Sequence, residues 1–281
     1  MASNTLRGAL GYTFRQVACR PECTEAKTCA VRETCPYARI FEPVSNGAGP
    51  SGLAHPPRPF VFRAAHLDRM SFERGDAFHF DVHLFHRNPE TVDYFERSFA
   101  RLLKPGWGPL VRMDQSDVPM TLDKCPYRVE RLQVRFVTPM ELKAGQQLAE
   151  RPDFGALISR IRDRLSTLGA LYGSGPLEMD FAAFGRRAAA VRMTRCELGY
   201  ETVSRFSTRT KQTHSLGGFT GMAEYHIEDD GDLAEFVPFL TAAQFTGVGR
   251  QTTWGKGEIA VYVNTPASGP VLSANRSALA P

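Results

Sequence analysis

No stretch of the chain approaches the roughly 18 to 20 consecutive apolar residues of a bilayer span, so no transmembrane helix is expected. Residues 1–11 lack the apolar core of a secretion signal, and a cytoplasmic protein is therefore expected. Lysine is scarce: there are six, against 28 arginines. The basic surplus is small, +4 overall, which excludes a histone-like binder while tolerating a polyanionic partner. What is present in quantity is apolar sequence, 42% of the chain, so general disorder is excluded and 281 residues suffice for one large or two ordinary domains. The arginine excess suits phosphate recognition, because guanidinium is a planar five-donor fork. A GC-rich genome produces the same excess, so the position of each arginine has to decide between the two.

The six cysteines do not form a disulfide framework in a reducing compartment. Four are crowded at Cys19, Cys23, Cys29 and Cys35, with spacing C-x3-C-x5-C-x5-C. Four thiolates this close could close a tetrahedral structural zinc site or hold an iron–sulfur cluster. The C-x2-C knuckles of common zinc modules are missing, so partly buried free thiols remain an equal alternative.

The C-terminal half has the clearer periodicity. Leu132, Val134 and Phe136 alternate with Arg131, Gln133 and Arg135, the period of a half-buried strand. After Pro152 and Asp153, apolar residues from Phe154 to Leu171 recur at spacings of three and four, predicting a helix. Extended segments follow over 196–206 and 219–227, joined by a Ser/Thr/Lys-rich loop. Asp232 and Glu235 resemble a capping box opening a second helix that Gly247 closes, and Ile259, Val261 and Val263 mark a last strand. The order βαββαβ over 125–265 predicts a ferredoxin-like, RRM-like domain of the α+β class.

The first half, residues 1–120, reads as a second such domain lacking its first strand, with the cysteine-rich segment 19–35 inserted. Its expected order is αββαβ: a helix through Leu6, Leu10, Phe14 and Val17, strands near 60–65 and 78–84, a helix opened by Asn88 and Pro89, and a short strand near Leu110 to Met113. Residues 266–281, rich in Ser, Ala and Pro, are expected to be a mobile tail.

The sharpest local signal is Gly247-Val248-Gly249-Arg250-Gln251-Thr252-Thr253-Trp254-Gly255-Lys256-Gly257. It follows a helix and precedes a strand, the reverse of a dinucleotide fingerprint, and it lacks the Gly-Lys-Ser/Thr of a triphosphate loop. Its glycines would let backbone N–H groups approach a phosphate backbone while Arg250 and Lys256 add charge. A helix end followed by a tight entry to a strand explains the same glycines without a ligand. Arg186, Arg187, Arg192, Arg195, Arg205, Arg209 and Lys211 make a basic region, and residues 224–235 are acidic, so the domain reads as polarised toward a polyanion.

Together these features resemble the CRISPR-associated repeat-processing endoribonucleases of the RAMP superfamily, whose chains hold two tandem ferredoxin-like domains and a glycine-rich loop near the C-terminus. The resemblance rests on Phe136-Val137-Thr138-Pro139, Arg205-Phe206-Ser207-Thr208-Arg209, Gly217-Gly218-Phe219-Thr220-Gly221 and the 247–257 loop. In the first half it rests on Leu6-Arg7-Gly8-Ala9-Leu10-Gly11, on Cys35-Pro36-Tyr37 and on Ile40-Phe41-Glu42-Pro43. Lys256 departs from it, standing where an apolar residue is usual, and so does the absent first strand.

The resemblance implies metal-independent cleavage of precursor CRISPR RNA within repeats, by 2′-hydroxyl attack that leaves a 2′,3′-cyclic phosphate, with no cofactor for catalysis. It also implies a catalytic histidine in the first domain near the first helix and following strand, and His55 and His66 occupy that region. The expected RNA-binding set is Arg205, Ser207, Arg209, Lys211, Gly247, Gly249, Arg250, Gly255, Lys256 and Gly257, and the expected partner is CRISPR repeat RNA. Two other readings stay open: a non-catalytic RAMP subunit holding guide RNA in an effector complex, alone or as a homodimer, and a cysteine-ligated metal-binding interaction protein.

Overall fold

Phenylalanine organises the N-terminal half. Helix α1 (Ala2–Ala18) turns Leu6, Leu10 and Phe14 to one side, where all three are buried, as their three-to-four spacing dictates. Phe14 meets Phe41 at 5.0 Å, Phe95 at 5.5 Å and Tyr94 at 5.7 Å between ring centroids. Phe41 closes the short helix α2 (Pro36–Phe41), which Pro36 opens with its pre-set φ. Strand β1 (Phe60–Arg63) is buried at all four positions and pairs antiparallel with β2 (Asp81–Leu84), Phe60 opposite Leu84. In α3 (Pro89–Ala100) the Asn88 side chain accepts from the Glu90 N–H at 2.9 Å, the expected cap. Burial of Phe14, Phe41, Phe60 and Phe62 stabilises this body by about 1.5 to 3 kcal/mol each.

The computed structural model describes residues 1–19, 22–23, 25–26, 28–44, 56–86, 88–102, 108–145, 147–207, 212–228, 231–265 and 268–271. The chain divides into two bodies. One comprises Met1–Pro119, Ser166–Leu177 and Thr253–Gly255; the other comprises Met120–Leu165, Glu178–Thr252 and Lys256–Pro281. No helix among the described residues is long and apolar enough to cross a membrane.

The N-terminal body departs from the expected αββαβ order. Residues 108–121 are exposed throughout and form neither helix nor strand, so the strand expected near Leu110 to Met113 is not there. Val111 is 88% exposed, and Pro109 and Pro119 each lack a ladder donor. Helix α2 directly follows the cysteine-rich segment 19–35, where the sequence reading places no helix.

In the C-terminal body five antiparallel strands lie in the order β11-β10-β3-β9-β6. These are β3 (Arg131–Met140), β6 (Arg192–Glu201), β9 (Gly218–His226), β10 (Ile259–Thr265) and β11 (Ser268–Val271). The alternation in β3 is as expected: Leu132, Val134 and Phe136 are buried, while Arg131 and Arg135 face water. Helix α4 (Phe154–Tyr172) buries Phe154, Leu157, Ile158 and Ile161, with Phe154 4.9 Å from the ring of Tyr225. The buried Tyr225 hydroxyl donates to the Pro152 carbonyl at 2.6 Å. Helix α5 (Phe181–Ala189) and the hairpins β4 (Lys143–Ala144)–β5 (Gln147–Leu148) and β7 (Ser204–Ser207)–β8 (Gln212–Ser215) are added to the βαββαβ order.

Two expectations are corrected in this body. Helix α6 (Val237–Thr246) starts beyond the acidic turn, because the Asp232 carboxylate is engaged elsewhere. It accepts from the Val129 and Ala234 N–H groups, at 3.0 and 2.9 Å, and pairs with Lys124 at 2.7 Å. Together these donors hold its carboxyl below the usual range. Within the expected tail, residues 268–271 pair with β10, whose open edge offers unpaired backbone groups. Residues 266–267 and 272–281 lie outside the described set.

Candidate functional site

The glycine loop begins where α6 stops, at Gly247 with φ +74°, a left-handed value that only glycine adopts without cost. Gly249, Gly255 and Gly257 share this property at +80°, +88° and +70°. Three of them also sit where a side chain has no room: a Cβ on Gly249 would collide with the Glu141 carbonyl oxygen, one on Gly255 with the Ser3 side chain, and one on Gly257 with the Val248 carbonyl oxygen. Backbone bonds close the loop. Val248 N–H donates to Gly257 O at 2.9 Å, Arg250 N–H to Glu141 O at 3.2 Å and Gly257 N–H to Pro139 O at 3.1 Å. These N–H groups are therefore committed to the protein, so the glycines serve close chain packing more than a backbone cradle for phosphate. Gln251 holds φ +61° without being glycine, a strained conformation inside the same loop.

Lys256, expected on RNA, is fully buried. Its ammonium donates to Gly217 O at 2.6 Å and pairs with the Glu141 carboxylate at 3.1 Å. Burial pulls it below the usual lysine range, while Glu141 opposes that pull. The lysine is thus an internal tie, and its position, usually apolar in the resembled family, is internal here too. Glu141 also faces the Arg250 guanidinium at 3.7 Å, and the Arg250 side chain remains 53% exposed. Of the two cations in the loop, Arg250 is the one available to a ligand.

Gly217 follows β8 and precedes β9, so the same buried lysine ties the segment between these strands to the loop. Arg205 lies on the hairpin opposite His214. Ser207 ends β7, and Arg209 and Lys211 lie outside the described residues. The wider basic region is largely compensated. Arg187 chelates Glu235 with two bonds of 2.7 Å, Arg192 pairs with Glu228 at 2.7 Å and Arg195 with Glu197 at 2.6 Å. The acidic turn and the basic strand therefore neutralise each other locally, and the polarised face expected from the sequence shrinks to a few cations. On the open side of β3, Arg131 and Gln133 converge on Glu224 at 2.8 and 3.1 Å, and Arg135 has no ion pair among the described residues.

His55 lies outside the described residues. His66 sits half-buried in a short 3-10 turn (Ala65–Arg69), its ring stacked on His79 at 4.7 Å. Its Nε2 is 2.9 Å from the His79 carbonyl oxygen. Because a carbonyl only accepts, Nε2 donates the hydrogen in this contact. A histidine that sequence reasoning passed over, His86, is half-buried beside Thr91 (3.2 Å) and Tyr172 (5.8 Å between rings). The Tyr172 hydroxyl donates to Pro57 O at 2.7 Å. Burial, aided by the Arg39 charge, lowers the His86 pKa below the ordinary histidine value. The only sequence hint was its place just before the Asn88 cap. The unfolded chain takes up this proton more readily than the folded one, so stability falls as pH drops through the ordinary histidine range. Urea midpoints measured between about pH 7.5 and 5.5 should show a smaller acid loss in Arg39→Ala than in the parent, and an equal loss would remove Arg39 as a cause.

The cysteines are drawn together in part. Cys35 is buried, and Cys19, Cys23 and Cys29 are half-buried. Cys19 hydrogen-bonds both Cys23 and Cys35 through its side chain. Among the described residues no group of three or more His, Cys, Asp or Glu side chains is closed into a metal-holding arrangement.

Residues 1–144 match the family AF_1859_N, described as an N-terminal domain, and residues 134–259 match the family described as CRISPR-associated endoribonuclease Cas6. No sequence among the curated proteins matches the chain. Among solved structures, Thermus thermophilus Cas6 (TTHB231) aligns at 20% identity over 48% of this chain and 54% of that one, about half its length, with a TM-score of 0.39. The structure titled Cas6 (TTHB231) product complex aligns at 15% identity over 92% of this chain and 93% of that one, with a TM-score of 0.53. That second alignment extends the likeness in fold to nearly the whole chain. The chain thus belongs to the AF_1859_N family, matched over its first 144 residues, and its segment 134–259, which carries most of β3, the hairpin and the glycine loop, matches the CRISPR-associated endoribonuclease Cas6 family.

Proposed function

We propose that the protein binds precursor CRISPR RNA and cuts it within each repeat, using the 2′-hydroxyl beside the scissile phosphate as nucleophile. A base takes the 2′-hydroxyl proton, the new P–O2′ bond forms as the P–O5′ bond breaks, and an acid returns a proton to the 5′-oxygen. The products are a 2′,3′-cyclic phosphate and a 5′-hydroxyl, and no metal ion takes part. The observation that carries this reading is the braced glycine loop, which turns one cation, Arg250, outward while its second, Lys256, is spent on holding the loop in place. Arg205, Ser207, Arg209 and Lys211 extend the RNA contact. His55 and, second to it, His66 are the candidates for the proton transfers. Each body is read as a ferredoxin-like unit, a reading supported in the C-terminal body by the strand order β10-β3-β9-β6.

The test is cleavage of a labelled repeat RNA in excess EDTA. Cutting at full rate, with a cyclic-phosphate product, is expected. Loss of cutting in EDTA would point to a metal nuclease, and binding without cutting would point to a guide-holding subunit. Arg250→Ala should weaken repeat binding and reduce the slope of log K against log salt by about 1, the signature of one lost phosphate contact. An unchanged slope would remove Arg250 from the interface.

A further inference from the structure

Between the end of α1 and the start of α2 the chain runs from Cys19 to Cys35 without a helix or strand among its described residues. Among the described residues of this stretch only Ala26 and Cys35 are buried, little apolar surface to fix a loop of this length. Two arginines organise it by capping carbonyls: Arg15 donates to Cys23 O at 2.8 Å, and Arg32 to Ala26 O at 2.7 Å and Glu42 O at 2.9 Å. The helix ends then fix two sulfurs. Cys19 is the residue that ends α1 and Cys35 the residue that caps α2, and both belong to the small cluster of Ala26, Ala38 and Tyr37. The Cys19 thiol lies beside those of Cys23 and Cys35 and packs in the same small cluster as Cys35. Cys29 begins the turn that leads back to Cys35, its carbonyl accepting from Arg32 N–H at 3.1 Å.

We propose that Cys19, Cys23, Cys29 and Cys35 form a structural site for a thiophilic divalent cation, zinc, which ties the end of α1 to the start of α2. The ligand chemistry is sulfur alone, which selects zinc over magnesium or calcium. Four protein ligands leave no open position, so the ion stabilises and does not enter the cleavage reaction. The thiols hydrogen-bond each other and are not yet closed on a common centre, so binding tightens the loop between Cys23 and Cys35. Each thiol that ligates releases its proton to solvent, and no electron is transferred.

The test uses the full chain, reduced and stripped of metal, titrated with Co2+ and then Zn2+. The expected result is one equivalent of Co2+ per chain with the visible bands of tetrahedral thiolate cobalt, displaced by Zn2+, and a rise in melting temperature on binding. Cys19→Ser or Cys35→Ser should weaken binding by on the order of 100-fold, while Cys125→Ser and Cys196→Ser bind as the parent does. X-ray absorption on the zinc form should give sulfur ligands near 2.3 Å, roughly the zinc–thiolate distance. The proposal is overturned if the parent shows no thiolate–cobalt spectrum, if Cys19→Ser keeps it at parental affinity, or if the isolated protein carries an iron–sulfur chromophore. It is equally overturned if mass analysis shows two hydrogens lost to a disulfide in this segment. The parental titration decides even if a serine variant does not fold. Because repeat cleavage in EDTA is read separately, failure here leaves the cleavage mechanism standing.

Discussion

Lys256→Ala is expected to destabilise the C-terminal body by about 3 to 5 kcal/mol, the usual cost of removing one partner from a buried ion pair. The lysine is wholly buried, and its removal deprives Gly217 O of its donor and leaves Glu141, 12% exposed, with only Arg250 at 3.7 Å. Urea denaturation should show a fall in midpoint with an unchanged slope. The informative companion is the double variant Lys256→Met with Glu141→Gln. Removing both charges leaves nothing uncompensated, so most of the lost stability should return, in keeping with the apolar residue usual at this position in the resembled family. RNA affinity should fall in the single variant even where it is folded, because Glu141, released by Lys256, pairs more closely with Arg250 and competes with phosphate for it. A change below about 1 kcal/mol would mean that the pair is solvated and that its burial contributes little.

Gly257→Ala should produce the second large effect. The residue sits at φ +70°, where an L side chain costs about 1 to 2 kcal/mol before any contact is considered. Its Cβ would also collide with the Val248 carbonyl oxygen, so the loop must open to accept it. Opening breaks the 2.9 Å bond from Val248 N–H to Gly257 O that closes the loop. A total loss above about 2 kcal/mol and a repeat-RNA affinity reduced by roughly tenfold or more are expected from calorimetry and filter binding. Gly8→Ala is the control: it lies within α1 with nothing within 4 Å of the added Cβ, and should stabilise by about 0.5 to 1 kcal/mol. If both glycines tolerate alanine equally, the loop conformation is not what these glycines are for.

What the sequence discloses about this fold depends on how local the deciding physics is. The alternation of Leu132, Val134 and Phe136 marks β3, the recurrence of Phe154, Leu157, Ile158 and Ile161 marks α4, and the Asn88–Pro89 cap marks the start of α3. Each depends on neighbours within one or two turns of chain. The fate of Lys256 was not legible, since Glu141 and Gly217 reach it from distant parts of the sequence and no periodicity marks them. The charge map misled for the same reason: Arg187 and Arg192 look unpaired along the chain and are compensated by Glu235 and Glu228 across space. Asp232 misled through chemistry of the right type in the wrong place, capping the Ala234 turn and the Val129 N–H in place of α6. Leu110 to Met113 has strand-forming composition, but its neighbours Pro109 and Pro119 cannot donate to a ladder and the segment stays exposed. At the candidate site the position of the glycine loop was legible and the division of labour between its two cations was not.

The N-terminal body carries a consequence for biosynthesis. It is assembled from Met1–Pro119 together with Ser166–Leu177 and Thr253–Gly255. During translation its first stretch leaves the ribosome before the two pieces that complete it, Ser166–Leu177 and then Thr253–Gly255. Phe14, Phe41, Phe60 and Phe62 can collapse with one another while the chain is still growing, but the finished body has to wait for its late segments. A nascent chain stalled before Thr253 would therefore be more open to proteolysis and to chaperone capture in its N-terminal half than the released protein.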